Sequence, residues 1–381
     1  MIFGIDGSRA FLARRTGIEE YAYQLISHLR EPLRDEQVVL YTRMTIRFED
    51  GRFRVKRQEI DLDLPPAWRV RALFAPRFFT HGRLSIEMLL RRPDALLIPA
   101  HTVPAIHPKR TVVVIHGLEY EFSRESYSFW ERIYMRHVIR FSVRAAERIV
   151  AVSENTKRDL VRLYRVPEGR ISIVYEGKPV SDEISNREYK KGESGTRGQL
   201  SDIEKPYLLF VGRIEERKNV RRIVEAFGIL KFRHDIPHRL VLVGKPGYGY
   251  ERVREAIDRS AYVRDIVETG YVSDEEKSGL LRGADIFVFP SLYEGFGLPV
   301  VEAQAADIPV VTSDTSSIPE IAGDGAVFVD PTDPDSIADG IWRILSDAAF
   351  RDDIMEKGLK NAERFDWDAC AGEIVALLKE R

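Results

Sequence analysis

The chain has 381 residues, of which 44% are hydrophobic and 31% charged, a composition that excludes an intrinsically disordered chain and suits two globular domains. Its net charge is only −2, but residues 1–180 carry 31 Lys and Arg against 22 Asp and Glu, and the remainder carries 27 against 38. A basic first half would suit nucleic acid, an anionic membrane or a phosphorylated substrate, and charge alone does not decide among them.

The first residues of the chain carry no recognisable export signal. Residues 1–17 contain no apolar run long enough for a signal peptide, and no later segment reaches the ~20 apolar residues of a membrane span. The single cysteine, Cys370, excludes an intramolecular disulfide and argues against a cysteine-based metal site. We therefore expect a cytoplasmic protein.

Short apolar runs alternate with helical patterns through residues 1–180. Their continuous apolar character is typical of parallel strands covered on both faces. An amphipathic helix is predicted between residues 17 and 30, and Thr16 with Glu19 would form its capping box. The runs predicted as strands are residues 2–5, 38–42, 95–98, 111–115, 148–152 and 171–174.

A polar stretch, residues 181–206, is predicted to be a linker or exposed loop before a second series of the same kind. Two successive βα series predict an α/β fold with two doubly wound domains. We expect these domains to span 1–180 and 207–365, with a C-terminal helix in 366–381 that packs back toward the first domain. The strands predicted for the second series are residues 207–211, 239–243, 285–289, 309–312 and 326–329.

The loop after residues 285–289 reads PSLYEGFGLPVVE and combines glycines with two carboxylates. Ligands of open parallel sheets bind beyond the carboxyl ends of the strands. Pro299 suits a first helical position and predicts a helix that begins near Leu298. Gly295 and Gly297 would then precede a helix N-terminus, whose free N–H groups and dipole favour a phosphate or sugar oxygen.

The glutamates at the ends of this stretch, Glu294 and Glu302, raise the alternative of an acid/base pair. Ionised carboxylates accept hydrogen bonds, and a nucleotide sugar offers many hydroxyl groups. Beside a phosphate site, the two acids are better explained as clamps for hydroxyl groups than as a hydrolase pair.

Two further loops carry polar chemistry. Arg213 and Lys218 follow residues 207–211, and Asn219 is a candidate N-cap for the next helix. An arginine fork and a lysine charge beside a helix start would neutralise a diphosphate. The third loop, residues 270–276, offers main-chain groups next to Val272 that would bind a base.

Taken in order, these motifs resemble the retaining glycosyltransferases of family four. The resemblance rests on FVGRIEERKN (210–219), GYVSDEE (270–276) and residues 289–323, which contain the E-x7-E motif of that family. It extends to TGIEEY (16–21), VVVIHGLEYEF (112–122) and RIVAVSENTKRDL (148–160) in the first half. It implies a GT-B fold, in which two Rossmann-like domains face each other across a cleft that binds a nucleotide-sugar donor.

The resemblance also implies roles for single residues. Arg213 and Lys218 would bind the diphosphate, and Glu294 and Glu302 would bind hydroxyls of the donor sugar and the ribose. His116 would approach the donor sugar from the first domain. The residues predicted for catalysis are His116, Arg213, Lys218 and Glu294, and those predicted for donor binding are Gly17, Val272, Gly295, Phe296, Gly297, Leu298 and Glu302.

Three rival motifs carry less weight. Asp61 and Asp63 resemble the metal-binding DxD of another glycosyltransferase architecture, but they lie in a polar stretch that favours a solvated loop. His234 and His238 have ligand-like spacing, but a proline between them breaks the helix, and we interpret them as surface residues. GKPGYGY (244–250) lacks the Walker and Rossmann spacings and is predicted to be a loop over the nucleotide or a turn.

Residues 65–92 are rich in arginine and contain Trp68, Phe74, Phe78 and Phe79. One interpretation is an amphipathic helical region packed on its own domain. The other is a contact with a glycan or lipid-linked acceptor at an anionic membrane surface. The sequence leaves both open.

The predicted reaction transfers a sugar from a nucleotide diphosphate donor to a hydroxyl of a glycan or lipid-linked acceptor, with retention. GDP-mannose is the first choice, because LVGKPGYGYE and SDTSSIPE look most like bacterial or archaeal mannosyltransferases, and a UDP sugar is the alternative. No cofactor or metal is expected, since Arg213 and Lys218 supply the positive charge. The rivals are a nucleotide-sugar 2-epimerase and a nucleic-acid-binding protein, and the acidic second half argues against the latter.

Overall fold

The computed structural model describes residues 1–12, 15, 17–49, 52–75, 79–123, 126–178, 203 and 205–380, with the backbone alone for 46–49 and 52–55. Contacts between residues divide the chain into two compact units. Unit 1 comprises Met1–Leu118, Ser128–Gly177 and Asp366–Arg381, and unit 2 comprises Glu119–Tyr127 and Lys178–Phe365.

The units differ from the predicted domain limits at Lys178, which groups with unit 2, and at one longer segment. Glu119–Tyr127 lies within the predicted first domain but groups with unit 2. There the ring of Phe122 stacks on that of Tyr293, with centroids 4.4 Å apart. A ring pair so distant in sequence leaves no local pattern, so periodicity did not identify it. The predicted linker, 181–206, lies outside the described residues except for positions 203, 205 and 206.

Unit 1 is built on an eight-stranded sheet with the order β3-β2-β1-β5-β6-β7-β8, in which β4 also pairs with β2. Its pairings are parallel, apart from the antiparallel pair β2–β3. All six strands predicted for this half are confirmed, whereas β3 and β4 were not predicted. The strands are β1 (Ile2–Asp6), β2 (Gln37–Glu49), β3 (Arg52–Arg57), β4 (Trp68–Phe74), β5 (Ala95–Ile98), β6 (Arg110–Ile115), β7 (Arg148–Ala151) and β8 (Ile171–Ile173).

Helices cover the sheet of unit 1. The first buries Tyr21, Leu25 and Ile26 and packs against the C-terminal helix. Its predicted capping box lies outside the described residues, because Thr16 is not among them. The helices of this half are α1 (Gly17–Leu29), α2 (Ser85–Leu90), α3 (Glu119–Phe122, in unit 2), α4 (Phe129–Ala145) and α5 (Glu154–Tyr164), with the last helix, α13 (Trp367–Lys379), also in unit 1.

Residues 65–92 do not form one helical region. Trp68–Phe74 is the strand β4, and a π-helical turn at Phe79–Leu84 leads into α2. Trp68 and Phe79 are buried, so both of these aromatic side chains serve the core of unit 1. Phe78 lies outside the described residues.

Unit 2 contains a parallel six-stranded sheet with the order β11-β10-β9-β12-β13-β14. Numbered from its first strand this is 3-2-1-4-5-6, the order of the Rossmann fold, and the order reverses between β9 and β12. The two doubly wound units confirm the predicted fold class. The strands are β9 (Tyr207–Val211), β10 (Arg239–Val243), β11 (Ile266–Gly270), β12 (Ile286–Phe289), β13 (Val310–Ser313) and β14 (Val327–Val329).

The core of unit 2 lies between this sheet and its helices, where Phe210, Phe287 and Phe289 are fully buried. The rings of Phe210 and Phe289 stack with centroids 5.9 Å apart, which joins the two strands at the reversal of the order. The helices are α6 (Val220–His234), α7 (Tyr250–Arg259), α8 (Asp274–Gly283), α9 (Leu298–Ala305), α10 (Ile318–Ala322), α11 (Pro334–Ser346) and α12 (Ala348–Ala362).

Candidate active site

The candidate site of unit 2 lies at the carboxyl ends of β9 and β12. The loop after β9 carries residues 212–219, and the loop after β12 carries residues 290–297. Because β9 and β12 are neighbours at the reversal of the strand order, their following loops open the crevice in which Rossmann folds bind ligands. Both loops that the sequence analysis singled out therefore lie at this crevice.

Glu294 is the centre of a buried cluster. Its Oε1 lies 2.5 Å from Lys218 Nζ and 3.2 Å from Arg217 Nη1, and it accepts a hydrogen bond from Ser291 Oγ at 2.6 Å. Arg217 also contacts Glu215 at 2.9 Å and donates to the carbonyl of Tyr293 at 2.7 Å. Sequence reasoning did not identify Arg217 or Ser291, although both lie in the loops that it singled out.

Charge in this cluster is balanced. Burial opposes the ionisation of Glu294, but Lys218 and Arg217 outweigh it and hold the pKa of Glu294 at about 2. Burial lowers the pKa of Lys218, and Glu294 opposes that change. Burial also works against the charge of Arg217, but Glu294 and Glu215 raise its pKa above the usual value. Two acids and two bases therefore offset one another.

Arg213 differs from these cations because it is exposed at the start of the same loop. Within the described residues it takes part in none of the ion pairs, and its stem lies against Gly247. The 244–250 loop is held to this loop by the hydrogen bond from Gly247 N to Ile214 O, at 2.8 Å. The stem of Arg213 is thus held in place by packing, and its exposed guanidinium group is available to a ligand.

Asn219 begins α6 but does not act as the predicted side-chain cap. It has a left-handed backbone, with φ 63°, and its side-chain amide donates to the carbonyls of Pro290 and Pro331 at 2.9 and 2.5 Å. Its Oδ1 accepts from Arg222 Nη1 at 2.8 Å. Asn219 therefore ties the loop after β9 to the loop after β12.

The glycine loop leads into a helix as predicted. The helix α9 begins at Leu298, with Pro299 in its first turn, and Gly297 precedes it with φ 114°. Two serines that sequence reasoning missed hold the loop. Ser316 Oγ accepts from Glu294 N at 3.0 Å, and Ser317 Oγ lies 2.9 Å from the carbonyl of Glu294 and 2.7 Å from that of Phe296.

Gly297→Ala is expected to lower the free energy of unfolding by about 1–3 kcal/mol. The new Cβ would lie 2.7 Å from Ile318 Cδ1, at a φ of 114° that L side chains rarely adopt. Urea unfolding measures the change. The matched control is Gly279→Ala, at a helical position where a Cβ meets no described atom within 4 Å, and it should keep or raise stability. Equal stability of both variants would contradict the expectation.

The remaining predicted donor residues of unit 2 lie near α8 and α9. Glu302 Oε1 lies 2.8 Å from Lys277 Nζ, a partner that was not predicted. Val272 is buried in the core, so only its main chain is placed to meet a ligand. The next residue, Ser273, forms a capping box with Glu276 that fixes the start of α8. Gly295 is half-buried and Phe296 packs edge-on against Phe365.

The two candidates of unit 1 lie after β6 and at the start of α1. His116 follows β6, with Nε2 2.8 Å from the carbonyl of Pro99 and Nδ1 3.3 Å from Glu176 Oε1. Its ring meets Tyr21 edge-on at 4.4 Å. Gly17 is exposed at the start of α1, and a Cβ there would meet no described atom within 4 Å. Packing therefore does not require glycine at position 17, and its predicted role toward a ligand stays a prediction.

Residues of the rival motifs make contacts within the chain or are buried in it. Asp61 accepts from Tyr23 Oη at 3.3 Å, and the described residues hold no acidic or histidine cluster suited to a metal. His234 stacks on Trp342 at 3.8 Å. His238 is buried rather than on the surface, because it precedes β10 at the edge of the core.

Comparisons with known proteins agree with the sequence motifs. Residues 15–180 match the protein family described as Glycosyltransferase Family 4, and residues 196–361 match Glycosyl transferases group 1. The chain is 30% identical over 325 residues to the O-antigen chain mannosyltransferase B of Escherichia coli, which covers 78% of this chain and 83% of that protein. It is 26% identical to the O-antigen chain mannosyltransferase RfbU of Salmonella typhimurium over 70% of each chain.

Solved structures show the same fold. The sucrose-phosphate synthase of Thermosynechococcus elongatus superposes with a TM-score of 0.71 and 19% identity, over 100% of this chain and 98% of that one. At this identity the likeness bears on the fold alone, and it supports the GT-B architecture of two doubly wound units.

Proposed function

We propose that this chain transfers mannose from GDP-mannose to a hydroxyl of a glycan or lipid-linked glycan. The chain belongs to glycosyltransferase family 4 and is thus a glycosyltransferase. The observation that carries the donor site is the neutral Glu294 cluster at the reversal of the strand order, with Arg213 beside it, which forms no ion pair within the described part of the chain. The choice of mannose is supported by the named activity of the Escherichia coli relative.

The leaving diphosphate sets the main electrostatic demand of such a transfer. As the bond between the anomeric carbon and the phosphate oxygen breaks, negative charge grows on the diphosphate. Arg213, Lys218 and the N-terminus of α9 would stabilise that charge, because preorganised positive groups are most effective where charge develops. With these groups in place the proposal requires no metal ion.

The acceptor hydroxyl would attack from the face that the diphosphate leaves, which gives retention. The new bond joins the acceptor oxygen to the anomeric carbon, and the departing phosphate takes the hydroxyl proton, so charge and atoms balance. Glu294 would accept hydrogen bonds from sugar hydroxyls and Glu302 from the ribose. The roles of His116 and Gly17 toward the donor remain predictions.

A thermal-shift panel of GDP, UDP, ADP and dTDP tests the donor. A ligand that binds only the folded protein at about 100 times its Kd adds about 2.7 kcal/mol to the free energy of unfolding. We expect GDP to raise the Tm most. A larger shift with UDP would replace GDP-mannose by a UDP sugar. Product NMR then reports the anomeric configuration, and inversion would overturn the proposed mechanism.

A further inference from the structure

Unit 1 exposes large apolar side chains on two neighbouring helices. These are Ile86, Leu89 and Leu90 of α2 and Trp130, Tyr134 and Phe141 of α4, which we call the α2/α4 surface, and their exposed fractions lie between 39% and 75%. Apolar side chains concentrated in this way on a soluble protein mark an interaction site rather than ordinary scatter.

The side chains of this surface share faces of their helices. Ile86, Leu89 and Leu90 are spaced i, i+3, i+4, and Trp130, Tyr134 and Phe141 are spaced by four and seven residues, so each set forms one stripe. The opposite side of α4 is buried through Val138, Ile139 and Val143. Both helices therefore have one face in the core and an apolar stripe left outside it.

Two hydrogen bonds from main-chain N–H groups to serine side chains, and one ring contact, place α2 beside α4. Val103 N donates to Ser142 Oγ of α4 at 3.0 Å, and Ala105 N donates to Ser85 Oγ of α2 at 2.9 Å. The ring of His81, just before α2, meets that of Phe141 edge-on at 6.4 Å. Residues 103–105 thus link the two helices, and their exposed stripes belong to one region of unit 1.

The charges around the α2/α4 surface are mainly positive. Arg92, Arg140 and Arg144 are exposed, and among the ion pairs of the described residues none involves them. Two of the acids nearby are already engaged. Glu131 closes the capping box of α4, and Glu87 is buried between arginines, with Arg71 Nη1 at 2.7 Å. Asp94 and Glu147 are also exposed at the ends of this surface, but the arginines outnumber them, so an anionic partner meets net positive charge.

We propose that the α2/α4 surface docks the chain onto an anionic phospholipid bilayer. Aromatic rings beside arginines suit the headgroup level, where rings bury their apolar bodies and guanidinium groups meet lipid phosphates. Within the described residues no helix has the length and apolarity to cross a bilayer, so the contact is peripheral. The docking itself does not depend on the proposed function. Only its purpose, which is to bring the chain to a lipid-linked acceptor, rests on that function.

Vesicle sedimentation without any nucleotide sugar tests the docking. The full chain should sediment with phosphatidylcholine vesicles that contain about one third phosphatidylglycerol at about 0.1 M salt, and not with phosphatidylcholine alone. Trp130→Ala with Tyr134→Ala should abolish sedimentation. Arg140→Glu with Arg144→Glu should lower it by more than about twentyfold, since each arginine near an anionic surface contributes about fivefold.

The matched control is Phe232→Ala with Arg264→Glu, at exposed positions of unit 2, and it should bind as the unaltered chain does. Absence of vesicle binding, or binding that survives both surface variants, would overturn the proposal. So would a dimer, seen by sedimentation equilibrium, that Trp130→Ala with Tyr134→Ala breaks. The nucleotide thermal shift reads the donor site separately, so either inference can fail without the other.

Discussion

Glu294→Gln is expected to lower the free energy of unfolding at pH 7 by about 3 kcal/mol and to remove most of the transferase activity. The variant keeps the side-chain shape but leaves Lys218 and Arg217 beside a neutral amide in a buried site. Removing one partner of a buried ion pair typically costs about 3–5 kcal/mol, because the remaining charge has lost its compensation.

The same prediction has a pH dependence of defined sign. The pKa of Glu294 is about 2 in the folded chain against an ordinary value of 4.5, so the carboxylate form is stabilised by folding. Its contribution is fully present above pH 4.5 and is lost as the pH falls toward 2. The stability difference between the unaltered chain and the variant should therefore shrink over that window.

Urea unfolding at a series of pH values measures both effects. The control is Glu225→Gln, which removes an exposed i, i+4 pair with Arg221 at 2.6 Å and should cost less than about 1 kcal/mol. If Glu294→Gln matches this control at pH 7, Glu294 does not organise the cluster. If the difference stays constant between pH 4.5 and 2, the lowered pKa of Glu294 is wrong.

The parallel strands could be predicted from the sequence because buried strands read as unbroken apolar runs. β5, β9 and β10 have the predicted limits, and α9 begins at the predicted residue. β4 was missed because the arginine-rich residues 65–92 were considered as one region, although the alternation in WRVRALF is typical of a strand with one face exposed. The pairing with β2 shows that it is a strand.

The site could be predicted as a set of loops but not as a set of contacts. The sequence places three cations after β9, and nothing local says which of them faces Glu294. The short 3₁₀ turn Glu216–Lys218 and the left-handed backbone of Asn219 determine it, because they direct the side chains of Arg217 and Lys218 toward Glu294. Ser316 and Ser317 reach the glycine loop from the end of another strand, so only the tertiary structure reveals their role.

Arg213→Ala is expected to lower kcat/KM by about a hundredfold to a thousandfold while leaving the free energy of unfolding within about 0.5 kcal/mol. The side chain is exposed and takes part in no ion pair among the described residues, so its removal breaks no contact that folding needs. Its charge would act on the diphosphate alone, where losing one positioned donor typically costs about 2.7–4 kcal/mol of barrier.

Steady-state kinetics and urea unfolding together separate effects on ligand binding from effects on folding. Both are measured for Arg213→Ala, Lys218→Ala and the control Arg264→Ala. Lys218→Ala should lose both activity and stability, because it leaves Glu294 buried with one cation fewer. Arg264→Ala, exposed in the same unit, should lose neither. Full activity in Arg213→Ala would contradict the role proposed for Arg213 toward the leaving diphosphate. It would leave Lys218 and the N-terminus of α9 as the groups that stabilise the departing charge.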